Sequence, residues 1–120
     1  MGKGNKKLPK AVYFQCIWVV KDIDRLRRLE AVANVSNGMG DPVFFVDEDE
    51  VIKDAEVLAE GVRKMRCIRD ALNEVPKEYR QLTIDNIVYG VPLEDMAHEN
   101  TWRRWRTVFI KELAKNLKLI

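Results

Sequence analysis

The side chains best suited to act on a partner cluster near the C-terminus, in Asn100-Thr101-Trp102-Arg103-Arg104 with Thr107 and Lys111 after them. Arginine and asparagine at the start of a helix can pair bidentately with guanine or adenine edges, while lysine and hydroxyl groups hold phosphate oxygens. On a helix turning ~100° per residue, Trp102, Trp105, Phe109, Leu113 and Leu117 share one side. Arg103, Arg104, Thr107, Lys111 and Lys118 lie broadly opposite. Arg106 falls at the flank, where its charge serves either the fold or the surface. Basic faces are common on amphipathic C-terminal helices, and cations near a helix C-terminus also suit its dipole. Because the tryptophans of this helix share the apolar stripe, they read as core rather than as base-stacking surfaces.

No other constellation points to chemistry. The single histidine, His98, sits beside Glu99 in an expected turn, and there is no glycine-rich phosphate loop, HExxH or nucleophile elbow. The run Asp47-Glu48-Asp49-Glu50 lacks the spacing and glycine of a calcium loop and fits a solvated helix start. Cys16 and Cys67 make neither a CxxC nor a pair at metal spacing, so they are expected as reduced core residues. We therefore expect no enzyme, metal or cofactor.

Charge is uneven although the net is only +2. Residues 41–60 hold eight acids against one base, and residues 103–120 hold six bases against one acid, a basic end and an acidic end. At 120 residues, 47% apolar and 33% charged, the chain can bury a core unaided and matches a domain of amphipathic helices. Its longest apolar run, Cys16–Val20, is too short to span a bilayer, and the basic N-terminus has no signal-peptide core. A cytoplasmic protein is the expectation.

The elements that position the basic cluster read as helices throughout. Residues 1–8 are expected to form a flexible basic arm. From Pro9, Val12, Cys16, Val19, Ile23, Leu26 and Ala33 trace one long helical seam. The glycines, asparagines and proline of 34–42 end it. A second long helix, capped near Asp47, follows Val51, Ala55, Leu58, Val62, Met65, Ile68 and Leu72 to about Glu74, before Pro76. Joined by a loop of about a dozen residues, the two are expected to pair antiparallel over 9–75, with Cys16 and Cys67 at similar depth. Tyr13, Phe14, Ile17 and Trp18 would then stay partly uncovered, a patch of the kind that marks a contact surface. Shorter elements follow: a helix over Lys77–Tyr89 capped by Gly90, one or two turns at Leu93–Ala97, and a last helix N-capped by Asn100.

Residues 69–89, including Ala71-Leu72-Asn73-Glu74-Val75-Pro76-Lys77-Glu78-Tyr79-Arg80, resemble the opening of region four of bacterial sigma factors. Gly90-Val91-Pro92-Leu93-Glu94-Asp95-Met96-Ala97 is similar to that region's next helical step. The ending Thr101-Trp102-Arg103-Arg104-Trp105-Arg106 with Phe109-Ile110-Lys111-Glu112-Leu113-Ala114 resembles the tail of RinA and ArpU-like phage late transcriptional regulators. One departure is a turn reduced to His98-Glu99-Asn100 between Ala97 and Thr101. The resemblance implies an all-α fold: a helical hairpin over 9–75, then a helix-turn-helix over 76–120 that binds double-stranded DNA. On that reading the DNA-binding residues are Asn100, Thr101, Arg103, Arg104, Thr107 and Lys111. It also implies late-gene activation in a bacterial host, with RNA polymerase as a further partner and a homodimer built through the hairpin. The competing expectation is a small-terminase-like packaging or assembly protein, which would form a ring of many subunits.

Overall fold

A computed structural model describes residues 7–34, 55–92 and 99–120. All secondary structure among them is helical: α1 (Lys10–Lys21), α2 (Ile23–Asn34), α3 (Ala55–Leu72), α4 (Lys77–Tyr89) and α5 (Glu99–Asn116). The expected all-α class holds. The loop after Asn34, the helix start at Asp47, the element at 93–97 and His98 lie outside the described residues, as does most of the basic arm.

The single first helix expected from Pro9 is instead α1 and α2, parted by a turn at Asp22. The Asp22 carbonyl accepts the Leu26 amide at 3.0 Å, and its carboxylate takes the Arg25 guanidinium at 2.8 Å. Aspartate favours such helix starts because its short side chain satisfies nearby donors.

Two compact units result, one of residues 1–21 with 67–120, the other of residues 22–66. The divisions fall at 21/22 and 66/67, whereas the sequence reading put one at 75/76. In the first unit α1 packs on α4 and α5, and α4 packs on α5. Its core includes Cys16, Val20, Ile68, Ala71, Ile84, Ile87, Trp102, Phe109 and Leu113. Thr83 is buried with them, its hydroxyl satisfied by donating to the Tyr79 carbonyl at 2.8 Å.

In the second unit α2 and α3 meet where Leu29 lies over Gly61. A Cβ on Gly61 would stand 2.6 Å from Leu29 Cδ1 and 2.7 Å from its Cβ, so glycine is what permits the approach. The solvated faces carry short-range ion pairs, including Arg63 to Glu60 at 2.7 Å and Lys64 to Glu60 at 3.7 Å. The Arg63 hydrogen bond is the main reason the Glu60 carboxyl titrates below its ordinary range.

Both thiols are buried, neither is in a disulfide, and both point to α5. Cys16 Sγ approaches the Ile110 carbonyl at 3.8 Å and Cys67 Sγ the Asn116 carbonyl at 3.3 Å. Six residues of helix, about 9 Å, separate those acceptors, so the thiols serve different levels of the core. No helix among the described residues is long and apolar enough to cross a membrane.

Candidate nucleic-acid interface

The basic cluster stands on α5, and local signals upstream explain how that helix is held. α3 ends at Leu72 with tight backbone bonds from Glu74 to Ala71 and from Val75 to Leu72, ahead of Pro76. Arg80 Nε donates to the Val75 carbonyl at 2.7 Å, closing the carbonyl end of that turn with a cation. α4 then runs over Lys77–Tyr89 as its apolar spacing predicts. Gly90 terminates it at φ 71°, its amide donating to the Asn86 carbonyl at 3.1 Å. Glycine suits this left-handed position because a side chain there would crowd the backbone.

α4 braces α5 at two levels. Tyr79 meets the buried Trp102 edge to face, with ring centroids 5.5 Å apart. Further along, Arg106 Nε donates to Asn86 Oδ1 at 2.8 Å and its Nη1 donates to the Tyr13 hydroxyl at 3.0 Å. The Arg106 guanidinium also lies 5.8 Å from the centre of the Tyr13 ring. Asn86 Nδ2 in turn donates to the Val91 carbonyl at 2.8 Å. Arg106 therefore ties α1, the end of α4 and α5 together, which settles its place at the flank in favour of the fold.

With Trp102, Phe109, Ile110 and Leu113 buried, α5 presents Asn100, Arg103, Arg104 and Thr107 to solvent. Spacings of three and four residues put these four and Lys111 within an arc of about 100° on one face. From Asn100 to Thr107 the exposed stripe rises about 10 Å along the helix. Thr101 is half-buried and lies off the arc, so the structure does not bring it together with the others. α5 begins at Glu99, which puts Asn100 in the first turn rather than at the cap. Lys111 is half-buried, and both it and Arg103 also engage neighbours within the protein.

The apolar side of α5 departs in detail from the simple wheel. Trp105 and Leu117 are only half-buried, whereas Ile110 and Ala114 are buried because α1 covers a second flank. Sequence reasoning missed Asn86 and Tyr13 as positioning groups. Their only sequence signal was Arg106 at the edge of an apolar stripe. Among the described residues no group of three or more His, Cys, Asp or Glu side chains is gathered where it could hold a metal ion. No family model matches this chain, and neither the curated proteins nor the solved structures contain a match.

Proposed function

We propose that this chain is a DNA-binding transcription regulator of the phage late-gene type, acting in the cytoplasm of a bacterial host. The observation carrying the reading is the exposed stripe Asn100, Arg103, Arg104 and Thr107 on a helix whose opposite side is locked into a core. A stripe two turns long has the reach needed to enter a major groove and contact successive base pairs. Arg103 and Arg104 supply bidentate donors for base edges, and Asn100 and Thr107 supply smaller hydrogen-bonding groups. Lys111, one turn further along the same arc, reaches backbone phosphate. The Tyr79–Trp102 contact and the Arg106 bridge support the reading, since base readout needs a helix whose orientation is fixed by its scaffold. Contact with RNA polymerase and pairing into a homodimer belong to the same proposal.

Mobility shift on late-promoter duplex DNA, at two salt concentrations and with unrelated competitor, tests it. Complexes should survive competitor and weaken with salt. Arg104→Ala should relax sequence preference by ~1–3 kcal/mol, and Lys111→Ala should lower the salt slope by about one unit. Uniform weakening across sequences reassigns Arg104 to phosphate, and an unchanged slope removes Lys111 from the interface. Absence of any duplex shift, together with a closed ring of many subunits in solution, favours the packaging or assembly reading instead.

A further inference from the structure

Large aromatic side chains normally leave water, yet three in the first unit remain open to it. Phe14 and Trp18, one turn apart on α1, are 52% and 66% exposed, and Tyr89 at the end of α4 is 63% exposed. Phe14 and Tyr89 line a groove of about 500 Å³ between α1 and α4, with Arg106 in its wall and Lys21 at one end. Lys21 Nζ also lies 5.6 Å from the centre of the Trp18 ring, which places Trp18 beside the groove. Phe14 meets Tyr13 edge-on at 5.3 Å between ring centroids. Among the described residues that line the groove, none carries a carboxylate. Residues 7–21 contain Lys7, Lys10 and Lys21, all exposed, and no acid.

We propose that this groove is a second nucleic-acid site, one that takes unpaired nucleotides of a single strand. Bases carry π-faces that stack on exposed aromatic rings, and each base comes with a phosphate that nearby lysines neutralise. Phe14 and Tyr89 supply rings within the groove and Trp18 one beside it; Lys21 supplies charge within it, and Lys7 and Lys10 precede Phe14 along the chain. Arg106, held by Asn86 and Tyr13, fixes a further positive charge in the groove wall. A second copy of the chain is a poorer occupant. A two-fold contact through this face would set the lysines of α1 against those of the other copy, and residues 7–21 supply no acid to pair them. A paired duplex is a poorer occupant as well, because its bases are already stacked. The site is separate from the α5 stripe and does not depend on it.

The test is fluorescence anisotropy of a labelled oligothymidylate of roughly a dozen nucleotides, titrated with the full chain at low and high salt. Binding should weaken with salt and should quench the fluorescence of Trp18. Phe14→Ala combined with Trp18→Ala should weaken it about tenfold or more, with the fold retained and the thermal melt lowered only by the lost Phe14–Tyr13 ring contact. Trp18→Phe should keep most of the affinity and lose the quenching. Arg104→Ala should leave single-strand binding unchanged while altering duplex recognition, so the two sites fail separately. The proposal is overturned by an oligonucleotide that does not bind at low salt. It is equally overturned if Arg104→Ala abolishes binding that the Phe14 and Trp18 changes leave intact. A dimer dissolved by those changes, with oligonucleotide affinity unaltered, would assign the face to a second copy instead.

Discussion

Replacing Gly61 by alanine sets two quantifiable effects against each other. In an exposed helix interior, alanine is favoured over glycine by about 1 kcal/mol, because glycine loses more backbone freedom on folding. At Gly61 the added Cβ would lie 2.6 Å from Leu29 Cδ1 and 2.7 Å from Leu29 Cβ. The Cδ1 contact can be relieved by a rotamer change of Leu29. The Cβ contact cannot, since both atoms are fixed by their backbones, so α2 and α3 must move apart locally. Overpacking of this kind costs about 1–3 kcal/mol, to which the loosened contact of the buried Leu29 adds. The net expectation is a loss of roughly 1–2 kcal/mol, or a fall in Tm of about 4–8 °C at this chain length. Urea or thermal unfolding followed by circular dichroism measures it. Ala59→Gly, at an exposed position on the same helix, is the control and should cost about 1 kcal/mol. Adding Leu29→Ala to Gly61→Ala should recover part of the clash and no more, because Leu29 Cβ stays in place. A gain in stability for Gly61→Ala alone would refute the close approach of α2 and α3.

Three further outcomes are expected. Arg106→Lys removes a fork that serves Asn86 and Tyr13 together, and should cost about 1–3 kcal/mol in chemical denaturation; no loss would mean the bridge does not tie α1 to α5. Lys118 ends α5 at φ 64°, with its amide donating to Lys115 and that of Leu119 to Ala114, so Lys118→Gly should stabilise by about 0.5–1 kcal/mol in the same assay. Burial pushes the Cys16 thiol up to about 11 from an ordinary value near 9. The unfolded thiol thus loses its proton first, and the associated stability is complete below pH 9 and falls as pH rises toward 11. Wild type should lose on the order of 2 kcal/mol more than Cys16→Ala across that window; parallel pH profiles would contradict it.

The elements nearest the candidate interface were legible because their signals are local. Pro76 excludes the helical conformation from the residue before it, and Gly90 accepts a left-handed backbone. Between them the apolar spacing gives Lys77–Tyr89, the observed span of α4. The same reasoning separated the buried Trp102, Phe109 and Leu113 from the exposed Arg103, Arg104 and Thr107, since a helix of fixed pitch sorts its faces by spacing. It did less well at Asp22, where the seam continues but the backbone turns.

Helical periodicity identifies an apolar stripe without naming the surface that covers it. A seam of valine, isoleucine and cysteine is equally satisfied by any apolar neighbour. That α1 packs on α4 and α5 therefore followed from tertiary structure. The same holds for Arg106, whose donors find their acceptors 20 residues away on Asn86 and 93 residues away on Tyr13. It holds for Gly61, a helix-weakening residue by propensity that becomes necessary only because Leu29 lies against it. It holds last for Tyr89, which meets the exposed Phe14 only across the groove between α1 and α4. The sequence by itself determined the helical class, the limits of α4 and the separation of Trp102, Phe109 and Leu113 from Arg103, Arg104 and Thr107 on α5, all governed by interactions within a turn or two. Tertiary structure decided which stripe meets which, because burial is non-directional and partner choice rests on contacts between residues distant in the chain.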